Sequence, residues 1–407
     1  MFSRLILVAL AAIAASDAVA GDLAFDRVVI DDDFPGAYQV EVADVNGDGK
    51  PDVVAVGGGA CAWYENPSWK KRFVSTPKQT PGVISSATRD IDGDGKAEVA
   101  IAYEFSMNQP AKGKLLLATQ GKSLDDPWTY KPIADVGSIH RLRWGTFPDA
   151  LHPKIEPGSV SFGKRTALAV APIFGPSARP PLFQDEPAHF TLFFPPNPPT
   201  SAPWERVPLG KAHVCHAIDV LDLDGDGVSE ALGASNAGVT VLSDFFISGA
   251  VVAMPRALVQ GAPGDAPKKG SSEVHVGKLK DGRRFLATVE PWHGTDVAVY
   301  VSESLKPLKF GPRAVIDSTL KDGHALWVAD VDGDGDDEVF AGFRGPGTSL
   351  LAFDFNGKTW DRTVVDPKIA AQDLRGGDLD GDGTPDVVAV GGSTRNVVWY
   401  RPKKAGR

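Results

Sequence analysis

Residues 44–56 read Asp-Val-Asn-Gly-Asp-Gly-Lys-Pro-Asp and then Val-Val-Ala-Val: nine loop residues running into an apolar strand. The chain writes this phrase five times without gaps. Loop positions 1, 3, 5 and 9 hold Asp44, Asn46, Asp48 and Asp52, then Asp90, Asp92, Asp94 and Glu98, then Asp222, Asp224, Asp226 and Glu230. The last two copies hold Asp330, Asp332, Asp334 and Glu338, and Asp378, Asp380, Asp382 and Asp386. Calcium takes six to eight oxygens at about 2.3–2.6 Å, and such a set, with a backbone carbonyl at position 7, supplies them. The glycines at positions 4 and 6 let the chain curl with φ above zero. An EF-hand shares the first acids but needs a bidentate acid at position 12. That position holds Ala55, Ile101, Gly233, Ala341 and Ala389, so the EF-hand reading fails in every copy. Asp-Gly alone is a common hairpin turn signal. A further acid at position 9 in all copies goes beyond it, and five structural calcium sites are expected.

Each loop stands between two apolar runs, as a strand, an ion-holding turn and a second strand. Asp44 and Asp90 are 46 positions apart and Asp330 and Asp378 are 48, the period of a four-stranded propeller blade. The wider gaps hold degenerate copies at 158–172 and 276–288, the second with Lys278, Lys280 and Arg283 where carboxylates would stand. This makes seven inner hairpins. Outer strands, several opened by tryptophan, give the same count: 69–74, 128–133, 204–207, 251–259, 309–316, 360–365 and 25–30. The last of these precedes the first loop, while the chain runs out one strand short after 397–400. The fold expected is therefore an all-β, seven-bladed β-propeller over 21–407, with calcium loops in its inner hairpins. The N-terminal strand would close the ring, which removes exposed sheet edges. A proline-rich stretch, 172–203, reads as an elaborated loop of blade three.

The first twenty residues read as a secretory signal peptide: Arg4, an apolar run over 5–15, and Ala18-Val19-Ala20 as the cleavage site. The run is shorter than the ~20 residues a bilayer span needs. The expected location is secreted or periplasmic, with no membrane insertion. The formal charge of −10 argues against nucleic acid as a partner, and five divalent cations would neutralise it. Two cysteines, Cys61 and Cys215, make no disulfide framework and fall in different blades, so two free thiols are expected.

With the loops quoted above, nearly the whole mature chain resembles the FG-GAP/VCBS repeats of integrin α-subunit propellers and of many bacterial exported proteins. That resemblance implies the fold. It leaves function open, since such propellers serve as adhesion modules, ligand-binding scaffolds and enzymes.

Function is sought in what departs from the repeat. Six residues before the first loop aspartate stand Tyr38, His216 and His324 in blades one, four and six, and Gln372 in blade seven. His140 fits this slot in blade three, with Glu273 and His275 near it in blade five. Six strand residues span about 20 Å, so the slot lies at the opposite end of the innermost strand from the loop, at the mouth of the channel. His140, His216 and His324 are candidate ligands or bases, Tyr38 a proton donor and Arg143 an orienting group. His213, Glu273, His275, Glu290 and His293 are further ligand-binding candidates, and His152 and His189 could lie on a lid over the funnel. Several imidazoles together suit zinc or another divalent metal, or acid–base work.

The stretches 140–144, 164–175, 270–273, 284–294 and 322–347 are similar to the propeller domain of aldos-2-ulose dehydratase. This resemblance implies β-elimination of water from a keto-sugar by a carbon–oxygen lyase; its cupin domains have no counterpart here. The other reading is a non-catalytic module holding carbohydrate, another small polar ligand or a protein in the same funnel. No nucleophile elbow, P-loop or dinucleotide fingerprint occurs.

Overall fold

The computed structural model describes residues 23–403 apart from 150, 153, 157–158, 244, 248–250 and 254. The segment read as a signal peptide, 1–20, lies outside the described residues. The chain forms a seven-bladed β-propeller, and no α-helix occurs among the described residues.

The innermost strands of blades one to seven are Ala37–Ala43, Ser85–Arg89, Ile139–Pro148, Ala217–Leu221, Glu273–Lys278, Gly323–Ala329 and Ala371–Gly377. From each the sheet runs outward through antiparallel partners, as in Ala37–Ala43, Asp52–Gly57, Ala60–Glu65 and Lys70–Ser75 of blade one. In blade seven the outermost place is taken by Phe25–Asp31, which pairs antiparallel with Asn396–Pro402, the last described strand. The second strands are buried on both faces and read as continuous apolar runs: Val53, Val54, Ala55 and Val56 are each 0% exposed.

Those two-sided strands make the core. Buried apolar clusters sit between neighbouring blades at all seven interfaces, for example Val54, Val56, Trp63, Val99, Ile101 and Trp128 between blades one and two. Blades seven and one meet through Val388, Val390, Trp399, Val40, Val53 and Tyr64. Cys61 and Cys215 are both free and buried, in separate clusters. Trp63, Trp69, Trp128, Trp360 and Trp399 all pack into such interfaces.

Blade three departs from the repeat at both ends. A two-stranded ribbon, Lys154–Glu156 with Ser159–Ser161, stands where five of the other blades carry an acidic loop. The proline-rich stretch contains a regular third strand, Ala188–Phe194, so only 173–187 and 195–204 are loop. Residues 173–187 fold over the histidine end of the channel, where Phe174 and Phe183 stack with ring centroids 3.9 Å apart.

Where seven strands converge near the axis, space is short. A Cβ on Gly376, in the innermost strand of blade seven, would stand 2.0 Å from the Asp386 carbonyl and 2.3 Å from Trp327. Gly376→Ala should therefore destabilise the protein by about 1–3 kcal/mol through overpacking. Urea denaturation monitored by tryptophan fluorescence reads this. An unchanged midpoint would show that the strands can part at no cost.

Candidate functional site: a histidine cluster at one mouth of the channel

The slot read from the repeat becomes a ring in space. Tyr38, His140, His216, His324 and Gln372 come from five blades and stand around one end of the axis. Tyr38 Oη lies 2.9 Å from His140 Nε2 and 3.5 Å from His324 Nε2. The His216 ring is 4.9 Å from that of His140 and 4.8 Å from that of His324. His293 joins them from the loop after the second strand of blade five, its Nε2 3.2 Å from His216 Nε2. Donor atoms of His216, His293 and His324 all lie within 4.8 Å of one another.

The outer nitrogens fix how the rings face. His216 Nδ1 donates to Glu273 Oε1 at 2.7 Å, and His324 Nδ1 donates to the Gln372 carbonyl at 2.6 Å. His140 Nδ1 donates to the His216 carbonyl at 2.9 Å. Each of these rings thus turns an Nε2 lone pair inward. His293 Nδ1 sits 3.1 Å from Arg344 Nη2 and 3.3 Å from Asp322 Oδ1, so it can accept from the first or donate to the second. With a lone pair on His216 Nε2, the metal-free pair needs the His293 proton on Nε2. Moving it to Nδ1, against Asp322, frees a fourth inward lone pair, the third among His216, His293 and His324. Imidazoles held from behind by carboxylates or carbonyls are the usual arrangement of metal-ligating histidines.

Burial keeps these rings neutral. His140, His216 and His324 are each 1% exposed, and desolvation, aided by Arg141, pushes all three well below the ordinary imidazole range. His293 is driven down to about 2, by burial first and then by His216 and Arg344. Burial raises the Glu273 carboxyl to about 7, against the pull of Arg141. Arg141, itself 3% exposed, donates to His140 Nε2 at 3.2 Å and lies over the Tyr38 ring. The approach from solvent runs past the partly exposed side chains of His293, Arg344 and Asp322. Trp292, Phe174, Phe183 and Phe105 wall the mouth.

Several candidates read from the sequence stand elsewhere. Arg143 is not at this mouth: three residues along its strand from His140, it lines a cavity toward the opposite end with Glu41 and Arg375. His275, likewise three residues beyond the slot, pairs with Asp219 at 3.4 Å and meets Arg375 inside the channel. Glu290 is fully buried and tied to Arg313, Tyr300, Thr288 and Ser271, an anchor within blade five. His213 stays outside the cluster, its Nδ1 buried without a hydrogen-bond partner. His152 pairs with Asp149 beside the ribbon at the acidic-loop end, and His189 is exposed on the third strand of blade three, so neither belongs to a lid. Trp144 and Trp327 lie lower on the inner strands, whereas Trp292 reaches the mouth.

Sequence reading missed Arg344 and Asp322. Arg344 follows the second strand of blade six, Glu338–Phe343, much as His293 follows the second strand of blade five. Aligning the ends of second strands, and not only the inner slot, would have found it.

Two matches to family models run along this fold. Residues 16–101 match the FG-GAP-like repeat. Residues 115–303 match the family described as the aldos-2-ulose dehydratase beta-propeller domain, a stretch holding His140, His216, Glu273 and His293. Among curated proteins the chain is similar to aldos-2-ulose dehydratase of Phanerodontia chrysosporium, 27% identical over 281 residues, 63% of this chain. The match spans 29% of the length of that relative. Two solved structures share the fold at TM-score 0.51. A BBS1N complex with ARL6DN is 11% identical, covering 95% of this chain and 98% of that one. A chain of the Mitotic Checkpoint Complex is 10% identical, covering 99% and 100%. No helix among the described residues is long and apolar enough to cross a membrane.

A depressed imidazole pKa favours folding above the unfolded value near 6.5 and is lost as pH falls, because only the unfolded chain takes up the proton. In metal-free protein the ring resonances of His140, His293 and His324 should stay flat from pH 8 to pH 5 in a proton–carbon NMR titration, while His216 reports the titration of its partner Glu273. A midpoint between 6 and 7 for His324 would contradict the site described.

Proposed function

We propose that this protein is an exported, calcium-stabilised propeller whose histidine mouth removes water or an alkoxide from an oxidised sugar, with a divalent metal at His216, His293 and His324. The observation that carries this is the convergence of those three imidazoles, each with an oxygen partner behind it. Two ligands of a tetrahedral ion with bonds of 2.0–2.1 Å stand about 3.4 Å apart, close to the 3.2 Å between His216 and His293 Nε2. Three neutral imidazoles suit zinc or a similar divalent ion. Such an ion would polarise a substrate carbonyl as a Lewis acid.

The chain's own groups account for the rest. Elimination takes a proton from the carbon beside the carbonyl, makes a carbon–carbon double bond, and expels a hydroxyl that must itself be protonated. Neutral His140 receives the first proton, with Tyr38 Oη between it and His324 as the donor to the departing oxygen. Arg344, beside His293 and at the opening, orients a substrate oxygen, the part first given to Arg143. No covalent nucleophile is called for. The similarity to the dehydratase propeller supports this choice of chemistry. The competing reading, a carbohydrate- or protein-binding module, draws on how deeply three of the histidines lie.

Protein purified without an affinity tag and incubated with keto-sugars, anhydroketoses and uronate oligosaccharides should generate ultraviolet absorbance from a conjugated alkene. His216→Ala and His324→Ala should each abolish it, by 100-fold or more, and lose any transition metal found by elemental analysis. Silence from every substrate, with glycan or protein binding mapped to the same histidines, favours the module.

The calcium reading rests on the acidic loops. In each, one oxygen of the position-9 acid accepts the backbone N–H at position 2: Val45 to Asp52, Ile91 to Glu98, Leu223 to Glu230, Val331 to Glu338 and Leu379 to Asp386. The second oxygen of Glu338 and of Asp386 is buried with no partner. Three acids of each of the last four loops bring oxygens within 4.8 Å of one another. The glycines at positions 4 and 6 take φ between +74° and +95°, turning the chain around that centre. Without a cation the arrangement is costly: burial and the neighbouring aspartates raise Asp52 and Asp386 to about 6, Glu98 and Glu230 to about 7, and Glu338 to about 9. We also read the pairing of Phe25–Asp31 with Asn396–Pro402 as what closes the ring.

Acids raised in the folded, ion-free state give stability that is lost as pH rises through their folded values, from about 6 to about 9. Calcium binding has the opposite pH dependence, because its ligands must be ionised. The gap between melting temperatures with calcium and with EDTA should therefore widen from pH 5 to pH 8. Asp332→Ala and Asp380→Ala should each shrink the gap, and Asp281→Ala should leave it unchanged. Equal melts with and without calcium at pH 8 would sink the proposal.

A further inference from the structure

The opposite end of the channel carries a second, chemically different site. A cavity of about 290 Å³ opens there between blades one, two, three and seven, lined by Glu41, Thr88, Arg89, Arg143, Trp144 and Arg375. Glu41, Arg143 and Arg375 stand three residues beyond the slot residues Tyr38, His140 and Gln372 on the same inner strands. The propeller thus stacks two rings along its axis, imidazoles at one mouth and guanidiniums toward the other.

Most donors of these guanidiniums are unspent. The Arg89 side chain makes no hydrogen bond or ion pair among the described residues. Arg143 donates from Nη1 to the Leu142 carbonyl, its one described hydrogen bond. Arg375 uses Nη1 alone, toward the Leu374 carbonyl, Asp373 and His275 Nε2. Three cations therefore face a wall whose single carboxylate is Glu41. Burial lifts that carboxyl to about 7 against the pull of Arg143, so it supplies only part of a negative charge at neutral pH. Glu41 Oε2 and Thr88 Oγ1 are both buried there without a hydrogen-bond partner of good geometry. The Trp144 indole is pinned by its Nε1 bond to the Ala87 carbonyl, which leaves its ring as a fixed wall.

Asp219 and Asp373 add negative charge on the channel side of Arg143 and Arg375, yet leave Nε and Nη2 of both guanidiniums without a hydrogen bond among the described residues. Asp219 is engaged by His275, and Asp373 accepts the Val40 N–H at 3.1 Å while touching Arg375. Guanidinium forks with open N–H pairs match the paired oxygens of a carboxylate or a tetrahedral oxyanion. A partly protonated carboxyl beside the Thr88 hydroxyl suits an alcohol group on the same molecule. We propose that this end of the channel binds a small oxyanion, carboxylate or sulfate-like, held by Arg89, Arg143 and Arg375 and flanked by Trp144.

The site is independent of the histidine mouth, and its test uses the calcium-loaded full-length protein at low ionic strength, where charge pairing is least screened. Sodium sulfate and sodium glucuronate are titrated separately by calorimetry, with intrinsic tryptophan fluorescence as a second reading. Saturable binding of both ions supports the oxyanion site, and binding of glucuronate alone narrows it to hydroxylated carboxylates. Arg143→Gln should weaken binding roughly tenfold or more, the loss expected for a charge-assisted pair. Arg89→Ala, on an exposed side chain whose loss leaves no buried partner, should weaken it roughly threefold without moving the melting temperature. No saturable binding of either ion up to 10 mM to the wild type overturns the proposal. So does affinity unchanged in both Arg89→Ala and Arg143→Gln, provided circular dichroism shows them folded.

Discussion

Every blade of this protein buries both faces of its sheet against its neighbours, and that packing is the constraint from which the rest follows. A four-stranded sheet buried on both sides has no stable existence alone. Seven of them satisfy one another only as a ring, with an apolar cluster in each gap. The ring fixes an axis, and the innermost strands must pack around it. Small residues at the narrowest points, such as Gly376, Gly145 and Gly277, are the price of that convergence.

Polar groups in the channel answer to the same geometry. Because the strands enter the axis in register, residues of one repeat position meet across blades, and a change of three positions moves a side chain to a different level. One level collects His140, His216 and His324 with Tyr38; another collects Glu41, Arg143, Asp219, His275 and Arg375. Low dielectric makes each level exacting. Imidazoles held there stay neutral, and the carboxyls of Glu41 and Glu273 rise toward neutral pH. Loops then finish the histidine level: His293 and Arg344 arrive from the ends of second strands, and 173–187 covers one side.

The fold was almost wholly legible because a repeat states the same constraint many times. One acidic loop could have been a hairpin turn, whereas a period of 46–48 residues with matching apolar strands leaves only a ring of blades. Part of the site was legible for the same reason: Tyr38, His140, His216 and His324 occupy one repeat position. What failed was the assignment of residues near the slot but out of phase with it. Arg143 and His275 are three positions away, which in a strand is about 10 Å along the axis. Glu290 looked like a funnel acid and is instead spent on Arg313 and Tyr300. Arg344 was overlooked because only the inner slot, and not the ends of the second strands, was aligned across blades, and Asp322 because its loop carries no repeat signature.

By itself, then, the sequence determined the blade, the number of blades and the slot from which the histidines project, since alternation and period are local properties of the chain. Only the tertiary structure decided which side chains share a level of the channel, which nitrogen of each imidazole is held from behind, and which arginines remain unspent. Those are matters of a few ångströms between residues up to 286 positions apart, and no local pattern encodes them.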